Sequence, residues 1–347
     1  MTSLLCSCGG RCPGGVCTRD RTTADEIMRW ARDLVDPALR AAVKRLPGPV
    51  AEVAEYHFGW STGSDGGKAV RPALTFLSAE AVGGTATMAT DAAVAVELVH
   101  NFSLLHDDVM DNDHTRRHRP TAWVKFGIPS AILAGDALLA LATRILAEYD
   151  GPEVLWLNDA LLSLVDGQSA DLALPERTDV RWGESVAMAA GKTGALLGAA
   201  CALGAHAGGA GPERSAELRQ FGEHLGLAFQ LVDDLLGIWG DPLVTGKPVG
   251  ADLTARKKSL PVVAALNSEH PAARELAERY ADLQPLDEAD VLTVADLVER
   301  AGGRDWARAE SRRHFTAALS CLAGARPQRA AADRLECLAR LIIDRDR

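Results

Sequence analysis

Apolar residues recur every three to four positions along most of the chain after Ala24, which is the spacing of one face of an α-helix. The first such face comprises Ile27, Trp30, Ala31, Leu34 and Val35. Residues 91–106 are apolar nearly all round, as a buried helix is. Further helical patterns cover residues 129–148, 153–166, 184–206, 213–238, 258–268, 271–282, 287–301, 304–323 and 328–345.

Sheet-forming patterns are missing, since the sequence has no long alternation of Val, Ile and Tyr, and aromatic residues make up only 5%. We therefore expect an all-α protein, a single large bundle of roughly ten or more helices around a central cavity. The helical domain is predicted to span residues 24–347. The segment 1–23, which is rich in Cys and Gly, is predicted to be a disordered leader.

The overall composition indicates a soluble enzyme, with 47% hydrophobic and 24% charged residues. The net charge of -10 argues against a nucleic-acid binder, which would show a basic face. An anionic substrate would therefore need local Lys/Arg clusters or metal ions. No transmembrane run and no secretory signal are recognised, so a cytoplasmic location is expected.

Four of the seven cysteines lie in "CSCGGRCPGGVC", at Cys6, Cys8, Cys12 and Cys17. Their spacing matches no paired CxxC zinc site, and Gly and Pro surround them. An odd total without a secretory signal also disfavours a disulfide framework. A flexible tail with reactive thiols is favoured over a redox or metal role.

Two acidic clusters follow apolar helical runs. "LLHDDVMDND" contains Asp107, Asp108 and Asp111, and residues 107 and 111 share one helix face. Such carboxylates suit Mg2+, which bridges protein oxygens to substrate phosphates. "FQLVDDLLGIWGD" repeats the Asp pair at 233 and 234, but Gly237 stands where a third acid would be. Two helix ends of this kind can face each other across one cavity and hold a diphosphate through several ions.

Basic residues flanked by Gly or Pro supply the opposite charge. They fall in four separate segments, at Lys68, Arg71, Arg116, Arg117, Lys192, Lys247, Lys257 and Lys258. Together with the acids they describe a pocket for two diphosphates, one held through metal and the other by direct cation contacts.

Five of these motifs occur in the order found in the trans-isoprenyl diphosphate synthases, the polyprenyl synthetase family. The sequence resembles that family over roughly residues 60 to 265 by motif. The resemblance implies the isoprenoid synthase fold, a homodimer, and isopentenyl and allylic diphosphates as substrates. "GGKAVRP" is similar to the isopentenyl diphosphate loop, which implies contacts from Lys68 and Arg71, with His100 as the third.

The resemblance of "DDVMD" to the family's first aspartate-rich motif implies Mg2+ bound by Asp107 and Asp111, with Asp108 in support. In the second motif Asp233 would be the direct ligand, and three ions are expected in all, with Mn2+ as an alternative metal. "RRHRPT" resembles the family's "RRGxPT", which implies Arg116 on the allylic diphosphate and Arg117 on the isopentenyl one. His118 replaces the usual Gly.

"GKT", "FQLVDD", "TGKP" and "KKS" resemble the remaining motifs on the allylic side. They imply Lys192, Lys247 and Lys257 as diphosphate contacts, and Thr193 near the developing cation. Gln230 and Asp234 are carried over as catalytic residues. Arg256 stands in place of a usual Gly, which leaves the choice between Lys257 and Lys258 open.

The implied reaction is a 1′–4 head-to-tail condensation, in which the isopentenyl double bond attacks an allylic cation. Phe102 and Ser103 lie five and four positions before Asp107, where the family sets product length. An aromatic residue followed by a small one resembles geranylgeranyl (C20) producers more than farnesyl (C15) ones.

Two other interpretations compete. A class I terpene cyclase would need a hydroxyl residue four positions after Asn158, but Leu162 stands there and Ser163 is out of register. A non-catalytic partner subunit of a prenyl synthase would have lost acids or cations that this chain keeps.

Overall fold

Helices follow one another along almost the whole chain, as the hydrophobic pattern predicts. The computed structural model describes residues 18–60, 67–242, 248–282 and 284–343. The first half of the bundle contains α1 (Thr18–Val43), α2 (Gly48–Phe58), α3 (Val70–Ala81), a 3₁₀ turn (Ala86–Ala89), α4 (Thr90–Met110), α5 (Ala122–Phe126), α6 (Ile128–Leu146) and α7 (Glu153–Ala173).

The second half begins with a short 3₁₀ turn and continues through one π-helical turn. Its elements are the 3₁₀ turn Leu174–Glu176, α8 (Trp182–Ala189), the π turn (Ala190–Gly194), α9 (Ala195–Ala207), α10 (Pro212–Trp239), α11 (Ala251–Thr254), α12 (Leu260–Leu266), α13 (Pro271–Ala281), α14 (Glu288–Arg300), α15 (Gly303–Gly324) and α16 (Arg329–Ile343).

A two-residue hairpin interrupts the helices after α4. Strands β1 (Thr115–Arg116) and β2 (Arg119–Pro120) pair antiparallel. Arg117 and His118 form the turn with φ of 52° and 60°, and positive φ at both central residues is the geometry of a tight primed turn. This hairpin carries the predicted arginine motif and returns Arg116 to the end of α4, where it contacts Asp108.

The main hydrophobic core joins α1, α3, α4, α6, α9, α10 and α16. Helix α10 packs along α9 and α15, while α4 packs against α6, α3 and α9. Phe76, Phe221, Leu98 and Leu203 are fully buried in this layer. Helices α4 and α10, which carry the two acidic motifs, therefore both lie inside the bundle.

A smaller core lies at the C-terminal end of α10. Ile238 packs there with Leu253, Val262 and Leu297, which come from α11, α12 and α14. These contacts attach the segment after the second acidic motif to the end of α10, and they fix the position of the lysines that follow.

Two helical stretches are long and apolar enough to cross a membrane by length and composition, Ile128–Leu146 and Trp182–Ala207. The most apolar window of the second is 67% buried within the protein, and that of the first is 39% buried. Core helices of soluble proteins share these properties, so the expected absence of a transmembrane segment stays a prediction.

The all-α architecture is confirmed. Helix α7 runs to Ala173, seven residues beyond the predicted end at 166. Helix α1 begins at Thr18, so it overlaps the last residues of the predicted leader. Residues 1–17, with Cys6, Cys8, Cys12 and Cys17, lie outside the described residues, and the boundary at residue 24 stays a prediction.

Candidate active site

The first acidic motif lies at the C-terminal end of α4. Asp108 is buried at 1% exposure, and its Oδ1 accepts a hydrogen bond from Arg116 Nε at 2.6 Å. Asp111, the C-cap residue, is exposed, and Asp107 is half-buried. The arginine contact therefore anchors the buried Asp108, while Asp107 and Asp111 are more accessible to solvent.

The carboxylates of this motif lie in an environment that favours an added cation. Burial raises the pKa of Asp107 to about 6, although Lys192 nearby opposes the shift. Burial also raises the pKa of Asp111, with Asp113 and Asp171 adding negative charge. Asp108 Oδ2 is buried and has no hydrogen-bond partner among the described residues. A bound cation would relieve both the burial and the repulsion.

The second acidic motif lies on α10, one and a half turns from its end. Asp234 is buried, and its Oδ1 accepts from Gln230 Nε2 while its Oδ2 accepts from Leu260 N, both at 2.8 Å. Asp233 is exposed. The two aspartates thus differ in environment, since Asp234 joins α10 to α12 and the Asp233 side chain is exposed to solvent.

Thr193 lies in the π turn between α8 and α9. Its Oγ1 donates to Gln230 Oε1 at 2.8 Å, so one hydrogen-bond chain links Thr193, Gln230 and Asp234. Such π turns often occur at functional sites. These hydrogen bonds bring together three predicted residues from two separate motifs, which are at most 41 positions apart in the sequence.

The π turn approaches α7 closely because two glycines face each other. A Cβ at Gly167 would lie 2.3 Å from Lys192 N, and one at Gly191 would lie 2.5 Å from Ser163 O. Side chains at either position would push the helices apart. This contact sets Lys192 beside Asp171 of α7, with 2.5 Å between Nζ and Oδ2.

Asp171 of α7 lies among the predicted site residues, although no motif in the sequence pointed to it. Its charge acts on Asp111 of the first motif and on Lys257 beyond the second. The signal was the "GQSADL" segment, where Gln168 and Asp171 lie one turn apart on the part of α7 past its predicted end. The carboxylate is therefore a third acidic element between the two predicted clusters.

The structure distinguishes Lys257 from Lys258. Lys257 Nζ lies 3.6 Å from Asp234 Oδ1 and 3.9 Å from Asp252 Oδ2. Lys258 Nζ instead donates to backbone carbonyls of Leu174, Pro175 and Arg177. Lys257 is thus the lysine directed at the acidic site, and Lys258 holds the loop after α7.

Arg256 occupies a left-handed backbone conformation, with φ of 51°, where the resemblance expects Gly. Its guanidinium donates to Arg279 O and to Gln284 O, both at 2.6 Å. These bonds tie the loop before Lys257 to the end of α13. His118, the other replacement of an expected Gly, also has positive φ.

A separate basic region lies beside the first motif, around buried Glu97 of α4. Asn101 Nδ2 donates to Glu97 Oε1 at 3.1 Å, and burial lowers the pKa of Arg71 while Glu97 opposes that shift. Arg71 Nε and Arg117 Nη1 are buried with no hydrogen-bond partner among the described residues. Unsatisfied guanidinium donors of this kind fit an anion.

His100 and Lys68 belong to the same region. Burial and the nearby charge of Arg71 lower the pKa of His100 well below its usual value, so its imidazole is neutral. Lys68 is exposed, one residue after Gly67. A Cβ at Gly67 would lie 2.9 Å from Arg117 Nη2, so the loop that carries Lys68 runs against Arg117.

Phe102 and Ser103 lie on α4 one turn before the acids. Phe102 is 8% exposed and its ring meets His106 edge-on at 4.7 Å between centroids. Ser103 Oγ donates to His100 O at 2.8 Å. Both side chains are therefore held by contacts within α4, one turn before the acidic motif.

These residues together fit divalent metal bound through a diphosphate. Asp107, Asp111, Asp171 and Asp233 offer hard oxygen donors, which Mg2+ prefers. Within the described part of the chain no three such side chains converge closely enough to hold an ion by themselves. Substrate oxygens would have to complete the coordination. Lys247 lies outside the described residues.

Known proteins are similar to this chain along most of its length. The polyprenyl synthetase family model matches residues 53–298. A (2E,6E)-farnesyl diphosphate synthase of Mycobacterium tuberculosis is 46% identical, covering 92% of each chain. A geranylgeranyl diphosphate synthase of the same species is 43% identical, covering 96% of this chain and 99% of the other.

Solved structures give the same result. A polyprenyl synthetase from Streptomyces coelicolor A3(2) superposes with a TM-score of 0.87 at 47% identity, covering 92% of this chain and 99% of that one. A geranylgeranyl pyrophosphate synthetase from Pyrococcus horikoshii does so with a TM-score of 0.84 at 32% identity, covering 94% and 99%.

The all-α fold and these similarities define the class of protein as the prenyltransferases that make prenyl diphosphates. The chain belongs to the polyprenyl synthetase family. It is a trans-prenyl diphosphate synthase, and the predicted family and enzyme class are confirmed.

Proposed function

We propose that the chain catalyses Mg2+-dependent condensation of isopentenyl diphosphate with allylic diphosphates and that geranylgeranyl diphosphate (C20) is the main product. The proposal rests on one observation: Lys192 and Lys257 lie among the acidic residues of α4, α7 and α10. Cations among separated carboxylates form a site for a diphosphate bound partly through metal ions.

On the allylic side, Asp107, Asp111 and Asp233 are the metal ligands in this proposal, with Asp171 added to the predicted set. Bound Mg2+ neutralises the charge that develops on the departing diphosphate. Lys192 and Lys257 donate directly to that diphosphate, and Arg116 reaches it from its anchor on Asp108. We also assign Lys247 to this diphosphate on the resemblance alone.

Thr193 and Gln230 lie where the allylic cation forms. Gln230 Nε2 donates to Asp234, and Gln230 Oε1 accepts from Thr193 Oγ1. The positions of Thr193 Oγ1 and Gln230 Oε1 are therefore fixed by hydrogen bonds. Oriented dipoles of this kind stabilise positive charge without reorganising during the reaction. Asp234 acts by holding Gln230 in place, since its two carboxylate oxygens already accept hydrogen bonds from Gln230 Nε2 and Leu260 N.

On the isopentenyl side, the buried donors of Arg71 and Arg117 bind the second diphosphate, with Lys68 and His100 completing the set. This diphosphate is bound without metal, because guanidinium donors with fixed geometry recognise it directly. The isopentenyl double bond then attacks the allylic cation, and the released diphosphate accepts the departing proton.

The choice of C20 rests on Phe102 and Ser103. An aromatic wall at 102 with a small residue at 103 leaves room for a longer chain than an aromatic residue at both positions would. Farnesyl diphosphate (C15) is the second candidate, because the similar relatives include both a farnesyl and a geranylgeranyl synthase.

A direct assay tests the proposal. The purified protein is incubated with Mg2+, isopentenyl diphosphate and each of the C5, C10 and C15 allylic diphosphates, and product length is read by mass spectrometry. We expect C20 from all three partners. Accumulation of C15 with no use of the C15 partner would support the farnesyl alternative.

The same assay separates the remaining alternatives. A cyclic hydrocarbon formed from geranylgeranyl diphosphate and Mg2+ alone would indicate a terpene cyclase. No turnover by the isolated protein, with activity restored by a second prenyl synthase, would indicate a non-catalytic subunit.

We further propose a cytoplasmic homodimer. Neighbouring helices α6 and α7 expose an apolar face comprising Ile128, Leu133, Leu155, Leu162 and Val165. Contiguous exposed apolar patches commonly mark protein–protein interfaces. Sedimentation analysis should give twice the chain mass of 36.8 kDa, and Leu162→Glu should shift it towards the monomer.

A further inference from the structure

Gly237 lies on the same face of α10 as Asp233, four residues later, where the family pattern places a third acid. Helix α10 continues through Gly237 and ends at Trp239, so the glycine does not terminate it. Asp241, which follows the helix, is exposed. The position is therefore helical, and its missing side chain needs another explanation.

The carboxylate of Asp252 occupies the space that a side chain at 237 would fill. A Cβ at Gly237 would lie 2.3 Å from Asp252 Oδ2, 2.5 Å from Cγ and 2.9 Å from Oδ1. At these separations the Asp252 carboxylate would have to move if residue 237 carried a side chain, so Gly237 leaves the space in which Asp252 approaches α10. The acid absent from the motif is thus replaced in space by one from another element.

Two features hold Asp252 in this position. It lies in α11, which starts after Gly250 in the left-handed conformation, and adjacent Leu253 is fully buried against Ile238. Its carbonyl accepts Lys257 N at 2.9 Å, and its Oδ2 lies 3.9 Å from Lys257 Nζ. The Asp252 side chain remains 17% exposed. The carboxylate is therefore fixed by the loop that also places Lys257.

We infer that Asp252 is the third acid of the second metal motif, supplied from α11 and made possible by Gly237. It would act as a positioning residue for a divalent ion held by Asp233. This inference rests on the proposed function, because it assumes a divalent ion bridging Asp233 and a diphosphate.

Binding of inorganic pyrophosphate, measured by calorimetry at a series of Mg2+ concentrations, tests it without turnover. In Asp252→Asn, which keeps the side-chain shape, the Mg2+ concentration for half-maximal pyrophosphate binding should rise about tenfold or more. The double variant Gly237→Asp with Asp252→Ala moves the acid onto α10 and should return that concentration towards the wild-type value. Gly237→Asp alone should bind worse than the double variant, because two carboxylates then collide.

The outcomes separate the inference from the function it assumes. If wild-type protein shows no Mg2+-dependent pyrophosphate binding, the proposed function fails. If wild type binds and Asp252→Asn keeps the same Mg2+ dependence, this inference alone is wrong. An equal loss of pyrophosphate affinity at every Mg2+ concentration would show that Asp252 serves only to hold Lys257. Asp296→Ala, an exposed acid on α14, is the control and should match wild type.

Discussion

The Lys192 ammonium and the Asp171 carboxylate form an ion pair with 2.5 Å between Nζ and Oδ2. The two side chains come from the π turn and from α7, which approach closely at Gly167 and Gly191. Both groups are partly exposed, at 27% and 21%. The pair lies between the two acidic motifs, so either partner can change contacts when a metal-bound diphosphate enters.

Asp171→Asn should lower kcat/KM by about 100-fold, since it removes a proposed metal-binding oxygen and the counter-ion of Lys192. Steady-state condensation with isopentenyl and C15 allylic diphosphates measures the effect. Asp166→Asn, an exposed acid on the same helix, is the control. Equal activity of the two variants would remove Asp171 from the site.

Site residues could be predicted from the sequence only where they belong to a dense local motif. Asp107 and Asp233 each belong to a dense acidic run after an apolar helix, so their chemistry was visible in the sequence. Asp171 stands alone in a polar segment, and the helical pattern weakens before it. Its role depends on the close packing of α7 on the π turn, which periodicity does not encode.

The helices themselves were predictable because nearly all are amphipathic or wholly apolar. What could not be predicted is contact between segments distant in sequence. The approach of Asp252 to Gly237 depends on a loop whose course is set by the smaller core around Leu253. Likewise, only the three-dimensional structure shows that Lys258 is held by the carbonyls after α7 and that Lys257 is not.

The two acids of the second motif should respond differently to substitution. Asp234→Ala leaves Leu260 N, Gln230 and Lys257 without their partner, and should lower the free energy of unfolding by about 2–3 kcal/mol. Asp233→Ala affects an exposed side chain, so stability should stay near wild type while turnover falls sharply. Urea unfolding and a condensation assay measure the two effects. Equal destabilisation by both changes would contradict the assigned roles.

Asp107→Ala should remove nearly all turnover, because it deletes a proposed metal ligand of the first motif that also interacts with the charge of Lys192. The measurement is product formation at saturating Mg2+ and both substrates. Asp159→Ala, an exposed acid on α7, controls for general effects of losing a carboxylate. Near-normal turnover of the Asp107 variant would mean that the first motif is misassigned.

Product length should follow the size of residues 102 and 103. Phe102→Ala removes the ring that packs against His106 and should shift products beyond C20. Ser103→Phe adds a second aromatic residue and should shift them towards C15. Phe315→Ala on α15 is the control and should leave the profile unchanged. Identical profiles for all three variants would make Phe102 a packing residue only.

A histidine pair between α10 and α15 should make the fold sensitive to acid. His224 Nδ1 and His314 Nδ1 lie 2.9 Å apart, and burial lowers the pKa of His314 to about 4, with Arg313 adding to the shift. The unfolded chain therefore binds more protons than the native one between about pH 6.5 and 4. Stability from this pair is full above that window and is lost as the pH falls through it.

His314→Asn removes one of these titrating groups. The slope of unfolding free energy against pH should then fall by up to about 1.4 kcal/mol per pH unit within the window. Urea titrations from pH 8 to pH 4 measure it, and the difference at pH 8 reports packing alone. A slope unchanged by the substitution would show that the pair does not titrate between the two states.

The two residues with positive φ at positions where Gly is expected should behave oppositely when changed to Gly. His118→Gly relieves a left-handed conformation that costs a non-Gly residue about 1–2 kcal/mol, partly offset by the greater freedom of Gly in the unfolded chain. His118 is exposed, so stability should rise by about 0–1 kcal/mol and activity should persist. Arg256→Gly relieves the same conformation but removes the bonds to Arg279 O and Gln284 O, so stability should fall by about 1–2 kcal/mol.

Urea unfolding measures the stability of both variants. Each variant is the control for the other, because both relieve a left-handed backbone conformation and only Arg256→Gly also removes side-chain hydrogen bonds. Arg256→Gly should also weaken pyrophosphate binding, because the loop that places Lys257 is released from the end of α13. An increase in stability for both variants would mean that the Arg256 hydrogen bonds contribute less than the strain they accompany. In that case the position of Lys257 would have to depend on its own contacts with Asp234 and Asp252.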